Sequence, residues 1–269
     1  MNYNPKLDVL VIGSDEVFNC VQDNTNVGYS KELFGNNNNA NKVISYAGSF
    51  GNTTIDKIDE YNIRDEIKAF LDKFACISVR DYNSYDIIRN LNIENIEINV
   101  DPVLAFDWEN IIPSISMKCK YMVVYGYSGR FSDYECKMIE EYADRNKLKI
   151  ICLGGIQNIR NSFIECSPFE VLAYFKQAEC VITDTFHGSI FSIVNHKKFV
   201  TIIRESKACS YGNEEKLTNL LDLMRLSDRK MTELTDIEYI LDKDIDYATI
   251  EDIIVKERTR TINYLKRAI

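Results

Sequence analysis

The segment Thr183-Asp184-Thr185-Phe186-His187-Gly188 gathers an imidazole, a carboxylate and two hydroxyls into one short turn. It takes in the end of an expected strand, Cys180 to Asp184, and leads into a helical stretch from about Gly188 to Asn195. His187 therefore falls at a strand-to-helix turn, near a helix N-terminus. Such a place offers backbone N–H groups and the positive end of a dipole, which suit a phosphate or carboxylate. Histidine is also the commonest general acid or base near neutral pH. From position alone, proton transfer and simple capping of the turn are equal readings.

Four other turns carry polar or glycine-rich residues directly after an apolar strand: Gly13-Ser14-Asp15, Ser45 to Ser49, Arg80-Asp81 and Gly126 to Gly129. Ligands of open α/β sheets bind beyond the carboxyl ends of the strands, so these turns are the places for chemistry. Ser14 or Asp15 can cap a following helix, or Asp15 can orient a hydroxyl. Arg80 is either a surface charge or a bidentate anion contact. Asp101-Pro102 reads as the start of a turn. His196, in the polar loop Asn-His-Lys-Lys, reads as solvent-facing.

The elements that must position these turns alternate. Strands are expected at Leu7–Gly13, Val43–Ala47, Cys76–Arg80 and Ile96–Val100, with helices at 63–74 and 83–91. The pattern restarts with strands at 120–127, 148–153, 180–184 and 199–203. Its helices fall near 133–146, 169–177, 188–195, 214–224 and 250–268. Near-continuous apolar strands between helices indicate parallel sheets covered on both faces. The aperiodic stretch 107–118, with Pro113, separates an N-terminal domain (1–107) from a C-terminal one (119–269). The last helix closes the C-terminal domain. Asn36 to Asn39 reads as a solvated polar loop.

The chain has 269 residues, 45% of them hydrophobic and 27% charged, and a formal net charge of -9. That balance argues against a nucleic-acid partner, which needs a basic surface. The eight cysteines (Cys20, Cys76, Cys119, Cys136, Cys152, Cys166, Cys180 and Cys209) form no CxxC pair and lie mostly in apolar runs. They read as buried free thiols of a reducing compartment, not as a zinc site. No signal peptide is apparent, and no apolar run reaches the roughly 18 residues that span a bilayer. A cytoplasmic location is expected.

Several segments, in order, carry a resemblance. Gly13-Ser14-Asp15-Glu16-Val17-Phe18-Asn19 is similar to a GSDQVWN motif, and Ser45 to Gly51 to SYAASFG. Ser78-Val79-Arg80-Asp81 resembles SVRE, and Asp101 to Leu104 resembles DPTLL. Val181 to Ser192 resembles VTDSFHGTAFS, Lys198-Phe199-Val200 resembles KPFV, and Leu217 to Arg229 resembles LLxxLGLxxR. Together, over about residues 8 to 230, they resemble the polysaccharide pyruvyl transferase family.

The resemblance implies a glycosyltransferase-B-like architecture: two Rossmann-like parallel-sheet domains facing across a cleft. It further implies an incomplete N-terminal domain, since relatives carry a further stretch, including an Asn-Tyr-Gly-type loop, before the GSD motif. Some members also have Arg-Leu-His where this chain has Thr185-Phe186-His187. The implied activity is transfer of a pyruvyl group from phosphoenolpyruvate to sugar hydroxyls as a ketal. There is no cofactor and no obvious metal requirement. The acceptor is a glycan, free or lipid-linked at the membrane surface. His187 is then the general acid. Asp15 or Asp184 orients the acceptor. Arg80 and the Gly188-Ser189 backbone hold phosphate or carboxylate beside Thr185, Gly13 and Ser14, while Lys198 or Arg204 adds positive charge. Two rivals accompany this reading. One is a nucleotide-sugar glycosyltransferase, binding its donor near Gly126 to Gly129 and Gly154-Gly155. The other is an inactive relative that binds sugar or a partner.

Overall fold

The computed structural model describes residues 4–21, 29–160, 162–204 and 214–269. Cys209 lies outside the described residues. The chain divides into two compact units. The first is Met1–Phe106 with Ile254–Ile269, and the second is Asp107–Ile253.

In the first unit the strands are β1 (Lys6–Ile12), β2 (Asn39–Ser45), β3 (Ile77–Val79) and β4 (Ile96–Ile98). Its helices are α1 (Ile55–Glu60), α2 (Arg64–Leu71), α3 (Tyr82–Asn90) and the short α4 (Pro102–Ala105). β1 pairs parallel with β2, and β3 with β4. Single parallel bridges, Ile44 to Cys76 and Gly48 to Val79, join the two pairs into one array. Between strand and helices lies a core that includes Phe18, Phe34, Phe50, Ile67 and Leu71. Three of its rings cluster about Phe18, with Phe34 5.0 Å and Phe50 5.4 Å away.

The second unit holds β5 (Tyr121–Tyr125), α5 (Asp133–Asn146), β6 (Lys149–Leu153), β7 (Ser162–Phe163) and α6 (Pro168–Gln177). These are followed by β8 (Cys180–Thr183), α7 (Phe186–Val194), β9 (Lys198–Ile202), α8 (Glu214–Leu223), β10 (Lys230–Met231) and α9 (Ile237–Asp242). All six strands are parallel, in the spatial order β10-β9-β8-β5-β6-β7. Counted from β5, this is the Rossmann order 3-2-1-4-5-6. β5, β6 and β8 are buried almost throughout, as strands covered on both faces must be. α5 fills the expected span because Ser132 and Glu135 form a reciprocal capping box at its start.

Two boundaries differ from the sequence reading in ways that matter. α7 begins at Phe186, not Gly188, because Thr185 is the N-cap and its side chain accepts from the Gly188 N–H. His187 is thus in the first helical turn. The final helix, α10 (Tyr247–Ala268), is not wholly a part of the C-terminal domain: from Ile254 onward it groups with the first unit. Specific contacts explain this. Tyr264 Oη donates to Ser45 O at 2.5 Å, Arg258 donates to the carbonyls of Leu104 and Phe106, and Arg267 pairs with Glu97. Asn39, read as loop, opens β2, paired with Lys6.

Candidate functional site

In the Rossmann order the strand sequence reverses between β5 and β8, and ligands of such sheets bind beyond the carboxyl ends at that point. Tyr125 of β5 is registered with Thr183 of β8, so Gly126 and Asp184 emerge side by side. Gly126 has no room for a side chain: an added Cβ would lie 2.8 Å from the Phe131 ring and 3.1 Å from Asp184 Oδ1. The Asp184 side chain, fully buried, receives two arginines on one oxygen. Arg130 Nε lies 2.7 Å from Oδ2, and Arg204 Nε 3.2 Å. Arg204 turns its other edge to Glu135, with contacts of 2.6 and 3.1 Å. Glu135 also accepts from Ser132, so the capping box of α5 and the ion-pair chain share one carboxylate. Burial raises the proton affinity of Glu135, but the Arg204 and Ser132 hydrogen bonds outweigh it and hold the carboxyl below its ordinary range. Burial works against the Arg204 charge, and Glu135 and Asp184 more than restore it, raising its pKa.

His187 follows Asp184 on the same turn, with its ring 6.1 Å from Phe191 and stacked on it. The rest of that turn is occupied differently from the sequence reading. Gly188 N–H donates to Thr185 Oγ1 at 2.9 Å, and Ser189 N–H to Thr185 O at 3.2 Å. Ser189 Oγ is buried against Thr185 O and Thr201 Oγ1. These Gly188 and Ser189 groups are consumed by the helix and its cap, so they are not donors for an anion. Gly188 is instead demanded by packing, since a Cβ there would sit 2.1 Å from Thr183 Oγ1. Lys198 is at the wrong end. It is registered with Cys180, at the amino ends of β8 and β9, and its Nζ reaches toward Asp244 at 3.5 Å.

Arg130 was missed by sequence reasoning. The glycine-rich turn that the sequence marks ends at Gly129, one residue before it. The signal was present: a lone arginine between a post-strand turn and a helix-capping serine. The two glycine segments singled out for a nucleotide pack on each other. Gly129 N–H donates to Ile156 O, Gln157 Nε2 to Tyr127 O, and a Cβ on Gly155 would lie 2.2 Å from Ser128 N.

The first unit brings a second set together. Gly13 has φ of 122°, and a Cβ would meet Tyr46 O at 2.2 Å, so only glycine fits this turn. Ser14 Oγ donates to Asp101 Oδ2 at 3.1 Å. Arg80 follows β3 and divides its guanidinium between Asp101 at 3.1 Å and Asp15 at 3.0 Å. Its side chain is only 4% exposed, Asp101 is buried, and Asp15 is 76% exposed. Arg80 is therefore not a surface anion clamp but the buried brace between two carboxylates. Among the described residues, Asp15, Arg80 and Asp101 carry one more negative than positive charge, with Asp15 the exposed member, which suits a hydroxyl-bearing ligand better than an anion. Beside it the Tyr46 hydroxyl donates to Val100 O, and its pKa is pushed up by burial and by Asp101. His196, outside both sets, stacks on Tyr247 at 4.6 Å and pairs with Glu251.

The sequence profile of the polysaccharide pyruvyl transferase family matches residues 2–206. The chain belongs to the polysaccharide pyruvyl transferase family. Both candidate sets fall within the matched span. No curated protein matches the chain significantly. Among solved structures, an uncharacterised protein of Klebsiella pneumoniae is similar at 15% identity, over 86% of this chain and 78% of that one, with a TM-score of 0.50. A UDP-forming α,α-trehalose-phosphate synthase from Burkholderia xenovorans, in complex with glucose-6-phosphate, is similar at 8% identity. It covers 85% of this chain and 67% of its own, with a TM-score of 0.55. The glycotransferase of kitacinnamycin matches at 7% identity, over 84% and 70%, with a TM-score of 0.50. At these identities the likeness is one of fold: this pyruvyl transferase family member has the parallel-sheet α/β fold of glycosyltransferase-B enzymes. Among the described residues no helix is long and apolar enough to cross a membrane.

Proposed function

We propose that this chain transfers a pyruvyl group from phosphoenolpyruvate to hydroxyls of a polysaccharide or its precursor, forming a ketal. The observation that carries the reading is His187 in the first turn of α7, three residues after the Asp184 that holds two arginines at the switch point, in a chain of this family. In the reaction His187 protonates the methylene carbon of phosphoenolpyruvate, leaving C2 electrophilic. A sugar hydroxyl adds at C2 and loses its proton. The C2–O bond to phosphate then breaks and phosphate departs with the electron pair; a second hydroxyl adds at C2 and loses its proton, closing the ketal, so that of the two hydroxyl protons one restores His187 and the other leaves on the phosphate. Within the first unit, Asp15 is the candidate for binding a sugar hydroxyl, being the exposed carboxylate that Arg80 holds. The acceptor is a glycan, free or lipid-linked, and the setting proposed is the cytoplasm.

The test is incubation with phosphoenolpyruvate and a panel of free and lipid-linked glycans, following phosphate release. The parent releases phosphate with at least one acceptor. His187→Ala is expected to lose on the order of a hundred- to ten-thousand-fold in rate while keeping its fold. Undiminished turnover in that variant, or saturation by a nucleotide sugar with none by phosphoenolpyruvate, overturns the reading.

A further inference from the structure

We infer that Arg130 is the anion-binding residue of the second unit's site, offering the outer edge of its guanidinium to a phosphate or carboxylate, with Asp184 as its positioning residue. The identification of the anion as phosphoenolpyruvate rests on the function proposed above; the anion site itself does not.

Of the arginines in the two candidate sets, Arg80 and Arg204 are already committed. Arg80 is buried and shared by Asp15 and Asp101. Arg204 gives both terminal nitrogens to Glu135 and its Nε to Asp184. Arg130 gives only its Nε, to Asp184. Among the described residues its two terminal nitrogens donate to no side chain or carbonyl, and its side chain is 33% exposed. A guanidinium gripped through Nε by a fully buried carboxylate is fixed in plane and presents its remaining donors in the planar arrangement that matches two oxygens of a carboxylate or phosphate. The loop carrying it is also braced, with Gln157 Nε2 donating to Tyr127 O and Arg130 N–H to the same carbonyl. It opens at the topological switch point, where ligands of this fold bind.

Charge sharpens the point. Among the described residues Arg130, Arg204, Asp184 and Glu135 sum to zero, so directed donors are what these four side chains offer an anion. Removing Arg130 leaves the remaining trio negative, which repels one.

The experiment is calorimetric titration of the full chain with phosphoenolpyruvate, with inorganic phosphate and with pyruvate, for the parent, Arg130→Gln and Arg130→Lys. Thermal melts check that each is folded. Arg130→Gln is expected to weaken phosphoenolpyruvate binding by roughly ten- to a hundredfold. Arg130→Lys, a point charge without the planar donors, recovers part of that loss. The parent's affinity falls as salt is raised. Weakening shared by inorganic phosphate places the phosphoryl group on Arg130, and weakening shared by pyruvate places the carboxylate there. Either supports the inference even when no pyruvyl transfer is detected, which separates its fate from that of the proposed reaction. A folded Arg130→Gln that binds all three anions as the parent does, or a parent that binds none of them, overturns it.

Discussion

Asp184 Oδ2 is the single acceptor for the Nε groups of both Arg130, 2.7 Å away, and Arg204, 3.2 Å away. One fully buried oxygen thus joins the loop after β5 to the end of β9, and through Arg204 to the cap of α5. Removing one member of a buried ion-pair set leaves uncompensated charge and costs about 3 kcal/mol or more. Asp184→Ala is therefore expected to lower unfolding free energy by at least that amount in urea titrations. A cost under about 1 kcal/mol would mean that the carboxylate is dispensable to this unit.

Thr185 caps α7 and fixes the turn that carries His187. Thr185→Ala removes the acceptor for Gly188 N–H and is expected to cost about 1 kcal/mol, with Thr185→Ser close to the parent. Urea unfolding of the two variants provides the comparison. Equal losses in both would show that the methyl group, not the hydroxyl, is what matters.

Glu135 has a folded-state pKa below its ordinary value, despite burial, because Arg204 and Ser132 favour the charged form. A depressed carboxyl contributes stability that is present above the unfolded glutamate value, about 4.3. That contribution is lost as pH falls through the folded value. The difference in melting temperature between the parent and Glu135→Gln should thus be full near neutral pH and shrink on acidification below about pH 4. A difference that is unchanged from pH 7 to acid would remove Glu135 from this role.

The thiols divide by environment. Burial pushes Cys20, Cys152 and Cys180 up to about 12, whereas Cys119 is exposed. Thiolate is the reactive form. Alkylation of the native protein at pH 8, mapped by peptide mass, is expected to mark Cys119 well before Cys152 or Cys180. Equal labelling would show that the second sheet opens readily.

The kind of fold and the turns where chemistry could occur follow from local patterns in the chain. Short apolar runs such as Cys180–Ile182 and Ile150–Leu153, set between helical stretches, read as strands covered on both faces, and the polar turns after them then lie at one end of a sheet. His187 and the obligatory Gly13 were legible for the same reason: each belongs to a local strand-turn pattern. The tertiary structure decided which charges meet. Arg130 and Asp184 are 54 residues apart, and Arg204 and Glu135 are 69 apart. Only the strand order that sets β8 against β5 brings these side chains together. In the first unit, the meeting of the turns after β1, β3 and β4 makes Arg80 a brace between Asp15 and Asp101, and Tyr264 ties the last helix to Ser45. Periodicity and turn chemistry act over a few residues. The pairing of buried charges is settled by whichever strands become neighbours, and no local stretch of the sequence records that.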